Sequence, residues 1–261
     1  MAHRTQDIFP GTNMCGLEAS MRKNHVKVLA LAFTLLIVFP GTTPQSFAQT
    51  PTALYPAMAP LNQYLMPAES EIALARSAAP ASISDAAEVM VLGSDGYKTA
   101  VKGTNGFLCL VERSWGQSTD EAEFWNAKMR APHCFNAQAA RSFALIYLMK
   151  TRLVLAGKSK PEIAQAIAAA LDSKQLPPLE PGAMAYMMSK QQYLNDHDIA
   201  WHPHVMFFYS GDMTKSWTAD APNSPVITAN DPQERITILF IVADKWSDGS
   251  PAPPMPDSMS H

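Results

Sequence analysis

The apolar positions of this chain fall into runs whose lengths and periods separate its elements. Residues 28–39 (VLALAFTLLIVF) are unbroken except for Thr34. Residues 88–92 and 97–102 are short β-type runs around Gly93-Ser94-Asp95-Gly96, a pattern that predicts a hairpin. Gly103-Thr104-Asn105-Gly106 reads as a second tight turn, and residues 107–115 (FLCLVERSW) as a third strand, so the three are expected to form an antiparallel meander. Leu108 to Val111 are apolar on both faces, as are most of residues 235–246 (RITILFIVADKW). Both strands are therefore expected inside a sheet rather than at its edge. Residues 182–189 and 202–210 supply two more strands, with Pro203 at the start of the second, where a ladder donor is dispensable.

Helical periods occur in three places. Residues 69–79 form a short acidic-headed pattern ahead of Pro80. Asn136 can cap a well-buried helix that Gly157 stops, and Ser159-Lys160-Pro161-Glu162 is a capping box for a further helix with Ile163, Ile167, Ala170 and Leu171 on one side. These two are expected to pack as a helical hairpin inserted midway. LAGKSKPEIAQAI imitates the first half of a helix-turn-helix, but Pro177, Pro178 and Pro181 follow where a recognition helix would be needed. Residues 116–135 read as a long irregular connection, and residues 215–232 as a polar loop. Runs of strands without strict strand–helix alternation indicate an α+β fold: one domain over residues 69–249 with a largely antiparallel sheet.

The first apolar run decides the compartment. Arg22, Lys23 and Lys27 precede it, Pro40-Gly41 ends it, and Ser46-Phe47-Ala48 offers small residues for cleavage. Residues 21–48 thus read as a secretory signal cut after Ala48. Twelve helical residues rise about 18 Å, short of the roughly 30 Å hydrocarbon core, so no stable membrane span is expected once the signal is cut. Residues 1–20 read as an upstream extension with Met21 the true start, residues 49–68 as a Pro-rich linker, and residues 250–261 as a disordered tail. The part from Gln49 carries 16 Lys and Arg against 21 Asp and Glu without a basic cluster, which argues against nucleic acid as a partner. Its two cysteines, Cys109 and Cys134, are expected to form a disulfide in an oxidising compartment.

Candidate chemistry is sparse. His202 and His204 are two apart on a predicted strand and share a face; Asp198 and His133 can add ligands, so a zinc or other transition-metal ion is one candidate cofactor, with a metal-dependent hydrolase as its activity. No HExxH pattern supports it, and Pro203 disturbs the geometry. Glu112 at a strand end suits an ion pair better than an acid–base role, and Ser189-Lys190 lacks the spacing of a nucleophile pair. Phe124, Trp125, Trp201 and Trp217 all lie in predicted loops and can form a binding surface for a small molecule, a glycan or a protein. The alternative is that they cover the sheet from outside.

GTNGFLCLVERSW, EFWNAKMRAPHCFN, AYMMSKQ and HPHVMFF together resemble a group of bacterial exported proteins without an assigned activity, over about residues 69–249. The resemblance implies a single exported domain and brings no catalytic residues with it. The reading favoured by the sequence is a periplasmic or secreted binding domain that uses loop aromatics and the neighbourhood of His202.

Overall fold

The computed structural model describes residues 54–197 and 199–254, all within one compact unit, Gln49–His261. The expected extension, the signal segment and its cleavage site lie outside the described residues, as do Asp198 and residues 255–261. Among the described residues no helix is long and apolar enough to cross a membrane.

Among the described residues eight strands make one sheet: β1 (Glu88–Gly93), β2 (Gly96–Val101), β3 (Leu108–Glu112), β4 (Ala131–Phe135), β5 (Met184–Met187), β6 (His204–Ser210), β7 (Ile227–Asp231) and β8 (Ile236–Val242). Their order is β2-β1-β3-β4-β5-β6-β8-β7, antiparallel throughout except for β1 beside β3. Among the described residues five α-helices complete this α+β fold: α1 (Ala68–Arg76), α2 (Ala81–Ser84), α3 (Ala137–Arg141), α4 (Phe143–Leu155) and α5 (Lys160–Asp172).

The expected meander is corrected. β1 and β2 do form the hairpin, but β3 returns to the far side of β1 and runs parallel to it, with Glu88 opposite Leu108. The Gly-rich segment after β2 is a crossover rather than a tight turn. It passes so close beneath the start of β1 that a Cβ on Gly103 would lie 2.1 Å from the Glu88 nitrogen. Thr104 N–H donates to Ala86 O and Glu88 N–H to Phe107 O, fixing the crossing. β3 thereby gains neighbours on both sides, as its two apolar faces require.

Two strands lie where loops were expected. β4 contains Pro132 yet is wholly buried between β3 and β5. Arg130 and Asn136 direct their N–H groups to Tyr193 O and Met184 O, so the intervening Pro132 also faces the β5 side. There β5 has already ended at Met187, and no ladder bond is lost to the missing donor. β7 is a short polar edge strand on β8. The helix expected from Asn136 is divided in two. Asn136 Oδ1 accepts from Ala139 N–H to cap α3, and Ser142 (φ −129°, ψ −80°) separates α3 from α4. α4 and α5 follow one another between β4 and β5, with Gly157 at φ +73° after α4 and the Ser159–Glu162 capping box opening α5.

One sheet face carries Leu110, Phe135, Ala185, Met187, Met206 and Phe208 into a core shared with α4 and α5. The other carries Val89, Cys109, Val111 and Cys134 beneath Leu74 and Ala75 of α1. Residues 54–68 and 250–254, expected as parts of a linker and a tail, pack on this body. Tyr64 is fully buried against Trp115, with ring centroids 5.0 Å apart, and donates its hydroxyl to Trp125 O. Residues 250–254 fold back on the end of β8, where Trp246 N–H donates to Ser250 O and Ala252 N–H to Asp244 O.

Candidate functional site

The start of β6 gathers most of the residues singled out in the sequence. Met187 pairs with His204 and His204 with Val242. Continuing the β4–β5 register from Cys134 opposite Tyr186 sets Met187 opposite His133. His133 and His204 therefore share a row and a face, with the Met187 strand between them. Two strand spacings separate their backbones by roughly 9–10 Å, a span that by itself lets two imidazoles reach one ion. Among the described residues no three His, Cys, Asp or Glu side chains converge as metal ligands.

The Nδ1 of each imidazole is turned to backbone. His204 Nδ1 lies 2.6 Å from His202 O and His133 Nδ1 lies 3.1 Å from Ala131 O; a carbonyl only accepts, so each Nδ1 carries the proton. Burial holds both rings down at about 4, so they are neutral at physiological pH. The Trp201 ring packs edge-on against His204 at 4.6 Å and against Phe240 at 5.4 Å. His202 is different. It is 9% exposed and its Nδ1 is buried with no hydrogen-bond partner among the described residues.

Two hollows flank this ring. One of about 170 Å³ is lined by Ala200, Trp201, His202, Trp246 and Pro253. The other, about 290 Å³, runs from His202 past Ala243 and Asp244 to Pro253 and Pro254. Larger clefts of about 440 and 480 Å³ lie on either side of Phe143, Glu234 and Ile236. Most of the polar groups in and behind their walls are held by the protein itself, but Gln117 Oε1 on the second is buried without a hydrogen-bond partner among the described residues. Lys150 Nζ donates to Gln117 O and pairs with Glu234; Gln233 Oε1 accepts from Thr119; Asp231 Oδ1 accepts from the Gln233 and Glu234 backbone. The smaller hollow at His202 sets two indole-bearing residues and a proline around one imidazole, and that mostly apolar enclosure makes it the better candidate.

No family model matches this chain, and neither the curated proteins nor the solved structures contain a significant match to it. Its reading rests on its own geometry.

The expected aromatic surface is corrected in that light. Phe124 and Trp125 are core residues, buried and packed edge-to-face with ring centroids 4.6 Å apart. Trp217 packs on Tyr209 at the opposite end of β6 from His204. Only Trp201 of the four lines the hollow at His202. Sequence reasoning missed Trp246 and Pro253, because the Pro-rich residues after Trp246 read as a tail.

Glu112 is the buried acid of the molecule without a hydrogen bond among the described residues. It is 8% exposed, and burial pushes its carboxyl up to about 8, against the pull of Lys150. His133 Nδ1 is 3.8 Å away and neutral, so a protonated acid faces an uncharged ring at pH 7. The folded state thus holds a proton that the unfolded chain releases near 4.5. Stability from this group is full below about 4.5 and is lost as pH rises through about 8. His133 and His204 act in the opposite sense: their contribution is full above 6.5 and lost as pH falls towards 4. Comparison with Glu112→Gln largely removes the histidine contributions. In urea unfolding, the advantage of the wild type over Glu112→Gln should shrink by about 1.5 kcal/mol between pH 6.5 and 8. A difference that does not change with pH would mean that Glu112 is ionised in the folded protein.

Proposed function

We propose that this chain is an exported binding domain whose ligand sits in the hollow formed by Trp201, His202 and Trp246. The observation that carries the reading is a hollow walled by Trp201, His202 and Trp246, in which the imidazole has a buried Nδ1 without a hydrogen-bond partner among the described residues. A buried imidazole nitrogen without a partner costs about 1–3 kcal/mol, a cost that a ligand removes if it turns the ring and presents one matching polar atom. Apolar walls around a single polar group are the usual composition of a small binding site. Export is supported by the basic-then-apolar pattern of residues 21–48 and by a disulfide inside the sheet. The ligand is a small molecule, a glycan or a segment of another protein.

The five tryptophans give a direct readout. With fluorotryptophan incorporated in residues 49–261, ¹⁹F spectra are recorded against benzamide, proline amide and methyl glycosides. At least one probe should move the Trp201 and Trp246 signals saturably and leave buried Trp115 unmoved. His202→Ala should weaken that probe about three- to tenfold, the worth of one hydrogen bond. Shifts confined to Trp217, or none up to about 10 mM, where binding is weaker than about 3 kcal/mol, would overturn the assignment.

A further inference from the structure

The cleft of about 440 Å³ beside α4 and α5 joins an apolar trough to a positively charged rim. Phe143, Ile146, Leu171, Leu176, Leu179 and Ile236 form the trough. Its polar groups are turned inward: Ser142 Oγ donates to Gln138 O, and Glu234 is paired with Lys150. Pro177 and Pro178 on the wall have no N–H to offer. At the rim stand Lys174 and Arg235, both exposed. Asp172, the last residue of α5, pairs with Arg235 Nη1 at 2.8 Å and so draws the turn before β8 to the end of the helix. Two cations less the charge of Asp172 leave one positive charge there. Both cations also occupy left-handed backbone, Lys174 at φ +58° and Arg235 at φ +59°. Lys174 follows the Ser173 cap of α5 and Arg235 ends the β7–β8 turn, and glycine is the least strained residue at such positions. The fold alone would favour glycine at both, yet the two side chains it carries instead line one cleft.

We propose that this cleft is a second binding site, for a single-chain amphiphile with one anionic head: a fatty-acid carboxylate. The alkyl chain lies in the trough and the carboxylate at Lys174 and Arg235. An alkyl chain needs no hydrogen bonds, which suits walls whose polar groups are already paired. A peptide laid there would give up the hydration of its backbone without finding partners. One carboxylate matches the single positive charge of the rim, and the guanidinium has donors besides the Nη1 that Asp172 holds. The site shares no residue with the hollows at His202.

The test titrates decanoate, below its micelle concentration, into the compact unit of residues 49–261 labelled with ¹³C-methyl isoleucine. Nonanoate and decyltrimethylammonium are run beside it. Decanoate should move the Ile146 and Ile236 signals saturably, with a Kd below about 1 mM, and leave exposed Ile199 unmoved. It should bind about fourfold tighter than nonanoate, the worth of one buried methylene, and about tenfold tighter than the cationic amphiphile. Lys174→Gly should weaken decanoate about threefold without lowering the urea midpoint, because glycine suits the left-handed backbone. Equal binding of decanoate and nonanoate would overturn the alkyl trough, and equal binding of decanoate and the ammonium would overturn the anionic head. An affinity unchanged in Lys174→Gly would overturn the place given to Lys174. Shifts confined to other isoleucines, or none, would overturn the site. Each of these results leaves the reading of the His202 hollow standing.

Discussion

Replacing Glu71 by alanine is expected to lower the free energy of unfolding by about 3–5 kcal/mol, measured by urea denaturation at pH 7. Glu71 on α1 and Arg113 just after β3 are both fully buried, with Nη2 2.9 Å from Oε1. The guanidinium is fixed by further acceptors: Nε donates to Tyr64 O at 2.7 Å and Nη1 donates to Val111 O. Glu71 Oε1 also accepts from Leu92 N–H at 3.1 Å. One pair therefore ties α1, β1, the end of β3 and the turn before α1 together. Removing the carboxylate leaves a buried cation that cannot shed its proton, and it strands the Leu92 donor. Glu71→Leu combined with Arg113→Met should recover most of the loss, because apolar replacements remove the uncompensated charge as well. A loss below about 1 kcal/mol for Glu71→Ala would mean that water reaches Arg113 and the pair is not dry.

How far the sequence foretells this arrangement differs from element to element. β3 and β8 are legible because a strand buried on both faces must be apolar at consecutive positions. The Asn136 cap and the Ser159–Glu162 box are legible because they satisfy local donors with local acceptors. β4 is not, because Pro132 and His133 contradict a central strand unless one knows that β5 stops opposite Pro132. The order β2-β1-β3 is hidden for a related reason. A glycine needed for a tight turn and a glycine needed for a close crossing look identical, and only contact with the Glu88 backbone separates them.

The candidate site was half legible. His202, His204 and Trp201 cluster in sequence and also in space. Trp246 and Pro253 join them only through the folding back of residues 250–254, a tertiary event. Phe124 and Trp125 mislead because they sit on irregular backbone, and irregular backbone here crosses the core: Ser114 Oγ donates to Phe124 O, and Tyr64 donates to Trp125 O. Burial of loop aromatics depends on side-chain partners supplied from elsewhere in the chain.

Loss of the Cys109–Cys134 disulfide is expected to cost about 3.5 kcal/mol, the loop-closure entropy of a bridge spanning about 25 residues. The two cysteines are register partners on β3 and β4, their Cα atoms are 4.0 Å apart, and both are fully buried beneath α1. The loop they close carries Trp115, Phe124, Trp125 and Met129, four residues of the main core. The bridge therefore restrains in the unfolded chain the segment whose ordering costs most conformational entropy. The measurement is urea unfolding of the oxidised protein against Cys109→Ala with Cys134→Ala. The midpoint should fall, and the urea slope should rise because the unlinked chain exposes more surface when unfolded. Dithiothreitol added to the folded protein should act slowly, at the rate of opening, since a thiolate must reach a sulfur that no solvent touches. A stability change below about 1 kcal/mol would show that β3–β4 pairing already organises the unfolded chain and leaves the bridge little to restrain. Protein held in a reducing compartment would lack this contribution, so the bridged fold is suited to an oxidising compartment such as the proposed export would provide.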